Sequence, residues 1–163
     1  MTELTNVKGL SELQAFLDQL PAKMEANIMR SALRQGANVV RDEARSNVPV
    51  KTGLLRDGLK VTTSSRRGVV TAKVKATGKH AYLARWIEYG TAAHFIKPKT
   101  AKSLFIAGLF SNGVEHPGAA PKAFLRPALE SQSQEALVTV GEAIKRRLTK
   151  QGIDASGVDL EAL

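Results

Sequence analysis

No cysteine occurs among the 163 residues, which excludes a disulfide framework, a thiolate nucleophile, iron–sulfur clusters and every zinc site built on Cys. Aromatic residues are scarce at 5%, so the interleaved stacking platform of a single-strand binder is missing. No apolar run approaches the roughly 18–20 residues of a membrane span. The start, MTELTNVKGLSEL, has neither a basic cluster nor a continuous apolar stretch, so it does not read as a secretory signal, and a soluble intracellular protein is the expectation. His80, His94 and His116 are too scattered for a local metal motif such as two histidines four apart on a helix. No serine sits in a nucleophile elbow. Ala76-Thr77-Gly78-Lys79 invites a phosphate-loop reading, but Lys73 stands where the first glycine belongs and His80 follows Lys79 in place of Ser or Thr. The middle third holds only two acidic residues, Asp57 and Glu88, too few for a two-metal nuclease cluster. Glu88 reads as a structural carboxylate that caps or pairs with a neighbouring arginine, in preference to a general acid or base beside Tyr89. No enzyme activity, cofactor or metal is therefore expected.

What is present is an ordinary globular composition, 43% hydrophobic and 24% charged, in a length that suits one domain. The expectation is a single domain over 1–163, with an ordered core over about 7–148 and a flexible tail over 149–163. The net charge of +9 is concentrated. Residues 51–100 carry eleven Lys and Arg against Asp57 and Glu88, while the flanking segments balance. A localised excess points to a polyanion or an acidic partner, or else to a solvated basic face, and charge alone does not choose.

Periodicity divides the chain into helical ends and an alternating middle. Leu10, Leu13, Phe16, Leu17 and Leu20 recur at helical steps and stop at Pro21. Met24, Ile28, Leu33, Ala37, Val40 and Ala44 extend a second helix to about Ser46, where Asn47-Val48-Pro49 halts it. Leu59, Val61 and Thr63, then Val70, Ala72, Val74 and Ala76, alternate with polar residues across Ser64-Ser65-Arg66-Arg67-Gly68, predicting an antiparallel hairpin. Its outer face and tip gather Arg66, Arg67, Lys73 and Lys75, with Lys79 beyond. Residues 81–89 predict a short helix stopped by Gly90. Over 91–122 only Ser103-Leu104-Phe105-Ile106 reads as a strand, a buried one, inside a long loop of the kind that is functional or mobile. A last helix runs from Phe124 to about Leu148, and Leu33, Val40, Leu129, Val140 and Ile144 are expected in one shared core. The fold class is thus α+β: a small antiparallel sheet with a central hairpin packed against a long helix of the N-terminal half and a long C-terminal helix.

Read in order, the landmarks form a string. Val7-Lys8-Gly9-Leu10 opens it, Ala44-Arg45-Ser46-Asn47-Val48-Pro49 precedes Lys51-Thr52-Gly53-Leu54-Leu55-Arg56, and Tyr82 with Trp86-Ile87-Glu88-Tyr89-Gly90-Thr91 leads to Pro121-Lys122-Ala123-Phe124-Leu125-Arg126-Pro127-Ala128-Leu129. This string resembles the tail-component, or tail-completion, family of long-tailed double-stranded DNA bacteriophages over roughly residues 7–148. The resemblance implies a structural virion protein of the neck that joins the tail tube to the head connector by forming a homo-oligomeric ring, taken as a hexamer, around the DNA channel. It implies tail-tube or tail-terminator and head-connector proteins as partners, sequence-independent contact with packaged duplex DNA, no membrane, and residence in the virion after assembly in the host cytoplasm. Arg66, Arg67, Lys73, Lys75 and Lys79 are the expected contacts to DNA or an acidic partner, and Trp86, Tyr89, Phe95 and Phe110 the expected subunit interface. The rival reading is a host-type nucleic-acid-binding protein that uses the basic hairpin.

Overall fold

A computed structural model describes residues 22–99, 101–106 and 108–152. The helix expected over Leu10–Leu20 and residues 153–163 of the tail expected over 149–163 lie outside the described residues, while Thr149 and Lys150 belong to the last helix. The first described element, α1 (Ala22–Asn47), buries Ile28, Ala32, Gly36, Val40, Ala44 and Val48, the last just beyond its end, a strict four-residue repeat. Each four-residue step overshoots a turn by about 40°, so the buried stripe winds around the helix and its two halves face different neighbours. The second long helix, α4 (Leu125–Lys150), runs antiparallel to α1. Ile28 and Ala32 cluster with Ala143, Ile144 and Leu148, whereas Val40, Ala44 and Val48 cluster with Leu55, Leu59, Ala84, Phe124 and Ala128. Midway, a Cβ on Gly36 would lie 2.5 Å from Val140 Cγ2 and 2.6 Å from the Ala136 carbonyl oxygen; this approach needs glycine.

The single shared core expected of Leu33, Val40, Leu129, Val140 and Ile144 is therefore corrected. Val40 and Ile144 are buried in separate clusters, Leu33 and Val140 are half-buried, and Leu129 is 57% exposed. The winding of the α1 stripe is the physical reason, because a flat helical wheel assumes a stripe that keeps to one face.

After Pro49 a turn leads into the short helix α2 (Leu54–Asp57) and then β1 (Leu59–Arg66) and β2 (Val69–Ala76). The two strands pair antiparallel, Leu59 with Ala76 through Arg66 with Val69. The turn is tighter than the alternation predicts: Ser64, Ser65 and Arg66 belong to the strand, and only Arg67 (φ 51) and Gly68 (φ 79) connect. Two consecutive positive φ values are the geometry of the two-residue turn that matches strand twist. The Thr77 N–H and hydroxyl both donate to the Gly58 carbonyl, at 2.9 Å each, and close the base. The hairpin lies along α1, and at its base Leu59 and Ala76 join the cluster around Phe124.

Helix α3 (Tyr82–Tyr89) follows and stops at Gly90, as expected. Gly90 has φ 72, and a Cβ there would meet the Ala119 carbonyl oxygen at 2.5 Å. From this point residues 91–119 form one antiparallel arm of nested rungs, rooted at the Thr91–Ala119 bridge. Strand β3 (His94–Ile96) pairs with β6 (Val114–His116), and beyond them β4 (Leu104–Ile106) pairs with β5 (Leu109–Ser111). This corrects two expectations. The loop holds four short strands where the sequence predicts one, and Leu104–Ile106 is not buried, since Phe105 is 67% and Ile106 41% exposed. Three-residue strands are too short to establish an alternation, and their pairing skips residues 97–103, so neither period nor spacing displays the ladder.

Candidate functional site

Two exposed surfaces and one buried carboxylate are the candidate functional features. Glu88 lies on the inner side of α3 and is 7% exposed. Its Oε2 accepts hydrogen bonds from the backbone N–H of Phe124 (2.8 Å) and Leu125 (2.9 Å), and its Oε1 accepts one from Arg126 (3.0 Å). The first N–H groups of a helix have no partner within it, and no local side chain caps α4. A carboxylate 36 residues earlier supplies the acceptors, with its negative charge at the positive end of the helix dipole. Burial is the largest influence on the Glu88 carboxyl and raises its pKa, but the three N–H donors of Leu125, Phe124 and Arg126, with the Arg126 charge, outweigh it and hold the group below the usual carboxylate value. The capping role read from the sequence is thus present, and the group is occupied by structure.

The basic surface follows from the hairpin register. Lys60 stands opposite Lys75 and Thr62 opposite Lys73, on the face turned away from α1; Lys60, Lys73 and Lys75 are exposed while Val61, Val74 and Ala76 are half-buried. Arg66 and Arg67 are exposed at the tip. Lys79 is exposed beyond the base, so it is separated from the tip by most of an eight-residue strand, about 25 Å at the usual rise per residue. The five expected contacts therefore do not form one patch. Lys60 completes the face and was not among them, although it alternates correctly; only the register shows that it faces Lys75. None of these six cations forms an ion pair with a described residue. Like charges directly opposite on a strand pair are unfavourable.

The apolar surface has two parts, on α3 and on the arm. On α3, Tyr82, Trp86 and Tyr89 form one stripe at steps of four and three, 53%, 51% and 67% exposed, with Tyr82 and Trp86 edge to face at 5.1 Å. Leu83, Ala84 and Ile87 take the inner face. On the arm, Phe95 is exposed with the Lys97 ammonium 5.7 Å over its ring. At the tip Phe105 and Phe110 pair across the strands at 5.1 Å, beside Ile106 and Leu109. All four expected interface residues, Trp86, Tyr89, Phe95 and Phe110, are thus exposed, on the outer stripe of α3 and on the arm; Tyr82, Phe105 and Leu109 extend the set. The missed signal was Gly108 between two apolar pairs, which reads as a turn once the arm is known.

Between α1, β2 and α4 runs an apolar groove of about 660 Å³, lined among others by Leu33, Ala37, Val40, Val70, Leu129 and Val140. It exists because the hairpin and α4 both lean on α1 and meet each other only near the hairpin base. A neighbouring depression shares Leu125 and Leu129 with it and ends at Glu88 and Tyr89. Among the described residues no group of three or more His, Cys, Asp or Glu converges on a common point, and no helix is long and apolar enough to cross a membrane.

Residues 11–90, just under half of the chain, match the family described as "Bacteriophage HK97-gp10, putative tail-component". The chain is therefore similar to a family of phage tail components over the stretch that contains α1, the basic hairpin and the aromatic helix. The landmarks around Phe124 lie outside the matched stretch. No curated protein and no solved structure matches significantly.

Proposed function

We propose that this protein is a structural component of the phage neck that closes into a homo-oligomeric ring around the DNA channel, between the tail tube and the head connector, and works by assembly. The observation that carries the reading is the set of aromatic and aliphatic side chains left exposed on α3 and, separately, on the arm, in a chain similar to tail components. Large exposed apolar side chains grouped on one element mark an interaction site, and a repeated head-to-tail contact between identical subunits generates a ring when the rotation closes. A ring of six copies places the basic hairpins at six equivalent positions, where cations facing a channel lower the electrostatic cost of a dense polyanion without reading sequence.

Native mass spectrometry and electron microscopy of the purified chain test this: a closed ring is expected, together with binding to tail tubes. Phage particles lacking the protein should accumulate filled heads and finished tails that fail to join until the chain is added back. A chain that stays monomeric at all concentrations, and whose loss leaves joining intact, refutes the proposal.

The Lys60–Lys75 juxtaposition favours a second reading, in which the free chain binds nucleic acid through the hairpin. That reading expects tight, salt-sensitive binding of duplex DNA by the monomer, whereas the neck reading expects weak binding until many copies are arrayed.

A further inference from the structure

We infer that the acidic segment 153–163 folds back over the lysine face of its own β1–β2 hairpin and holds that face until a polyanion displaces it. The displacement rests on the reading of the hairpin as the polyanion contact; the docking rests on charge, direction and reach. The hairpin, residues 59–76, contains Lys60, Arg66, Arg67, Lys73 and Lys75 and no acidic residue. On its outer face Lys60 stands directly opposite Lys75, an arrangement that an anion lying over it relieves. The described carboxylates nearest in the chain are committed elsewhere: Asp42 pairs with Arg41 and Arg45, and Asp57 with Arg56. Residues 153–163 hold Asp154, Asp159 and Glu161 and no basic residue.

Direction and reach bring the two together. Arg45 Nη2 donates to the Leu59 carbonyl at 3.0 Å and Arg34 Nη2 to the Thr63 hydroxyl at 3.1 Å, so β1 runs toward the start of α1 and the tip with Arg66 and Arg67 lies at that end. Helix α4 runs the same way, since Leu148 packs with Ile28. It gives out at Gly152, where φ 77 turns the chain off the helix axis. The segment therefore leaves the described fold at the end where the hairpin tip stands. Eleven extended residues span up to about 36 Å, and the Lys60–Lys75 pair lies six residues below the tip, about 20 Å. Val158-Asp159-Leu160-Glu161-Ala162 alternates apolar with acidic, so in extended form both acids fall on one side, at the same two-residue spacing as Lys73 and Lys75 on β2.

The cations at the end of α4 are the competing destination. There Arg146 donates to Gln35 Oε1 at 2.6 Å and Lys145 is engaged as well, which leaves Arg147 and Lys150 against the five cations of the hairpin. Exposed ion pairs are weak one by one. A tether this short nevertheless holds the acids at an effective concentration on the order of millimolar, enough to occupy the face of the free chain and to yield to a duplex that offers many phosphates.

A zero-length carbodiimide cross-linker, which joins a carboxylate to an amine in contact with it, tests the docking on the full chain. At low salt, links from Asp159 or Glu161 to Lys60, Lys73 or Lys75 are expected within one copy, so that a mixture of isotope-labelled and unlabelled chain yields no mixed product. Links confined to Lys145 and Lys150, links only between copies, or no link at all overturn the inference. Displacement is read from duplex DNA binding by fluorescence anisotropy. Neutralising the segment with Asp154→Asn, Asp159→Asn and Glu161→Gln should tighten binding by at least about threefold at low salt, and the gain should vanish in a chain that also carries Lys60→Ser, Lys73→Ser and Lys75→Ser. A gain that persists there is the effect of net charge alone and overturns the inference. If the links form but neutralisation leaves DNA binding unchanged, the docking stands and the reading of the hairpin as a polyanion contact fails.

Discussion

Glu88 is where one side chain holds two parts of the fold together. Replacing it by Gln keeps the shape but presents an amide group to N–H donors, and removes the charge that makes these hydrogen bonds strong. The expected loss is about 1.5–3 kcal/mol, read as a lower urea midpoint at pH 7. Its pH dependence has a definite sign. The folded carboxyl titrates below the ordinary glutamate value of 4.5, so the unfolded chain binds the proton more readily. The stabilisation is complete above pH 4.5 and is lost as pH falls through the lower, folded value. Comparing parent and Glu88→Gln across that interval should show the difference between them shrinking as the solution is acidified; a constant difference would contradict the assignment. Gly90 sits two residues on, and Gly90→Ala combines a positive φ with contact against Ala119 and Pro121. It should cost more than the roughly 1 kcal/mol of an ordinary Gly-to-Ala mismatch, read by the same titration. The sequence shows that a glutamate precedes an aromatic, a glycine and a threonine, and it supports a capping role. It does not show which helix is capped, because the partner lies 36 residues away.

At the scale of elements, the antiparallel pair α1 and α4 is the frame, and its burial pattern separates two leucines that look alike on a helical wheel. Leu148 is 0% exposed in the cluster with Ile28 and Ile144, and Leu148→Ala should cost about 2–5 kcal/mol. Leu129 is 57% exposed on the groove wall, and Leu129→Ala should change the stability of the free subunit by no more than about 0.5 kcal/mol. Denaturant unfolding at concentrations where the chain is monomeric checks both, and equal effects would mean that the two positions share a core after all. The long periodic segments are legible in the sequence: α1, α4, the hairpin and α3 each have enough residues to display a period, and Gly90 and Pro49 mark their ends. The arm is not. Its strands are three residues each, and apolar residues such as Phe105 and Ile106 read as core whenever burial is inferred from hydrophobicity alone. The sequence could name Phe110 and Trp86 as interface candidates only through a resemblance; their exposure is a property of the assembled fold.

On the scale of the whole molecule, the charge of +9 is spread unevenly over the surface. The hairpin concentrates part of it in two groups, the face Lys60, Lys73 and Lys75 and the tip Arg66 and Arg67, with Lys79 apart beyond the base. These groups sit on strands whose other side is committed to α1, so the face cannot turn away from whatever it meets. If it lines the channel, replacing Lys60, Lys73 and Lys75 by Ser should leave ring assembly unchanged, because all three are exposed and form no ion pair among the described residues. The assembled ring should then bind duplex DNA with a shallower dependence of log affinity on log salt, by about 0.9 for each phosphate that the variant no longer neutralises. The tip variant, Arg66 and Arg67 to Ser, serves as the internal comparison, since a channel lined by the face alone leaves its salt slope at the parent value. Failed assembly of the face variant, with the DNA affinity of surviving rings unchanged, would instead put an acidic neighbour against the hairpin. A face variant that alters neither assembly nor the salt slope would reduce the lysines to a solvated surface, and the repulsion between Lys60 and Lys75 would then be screened by solvent and salt alone.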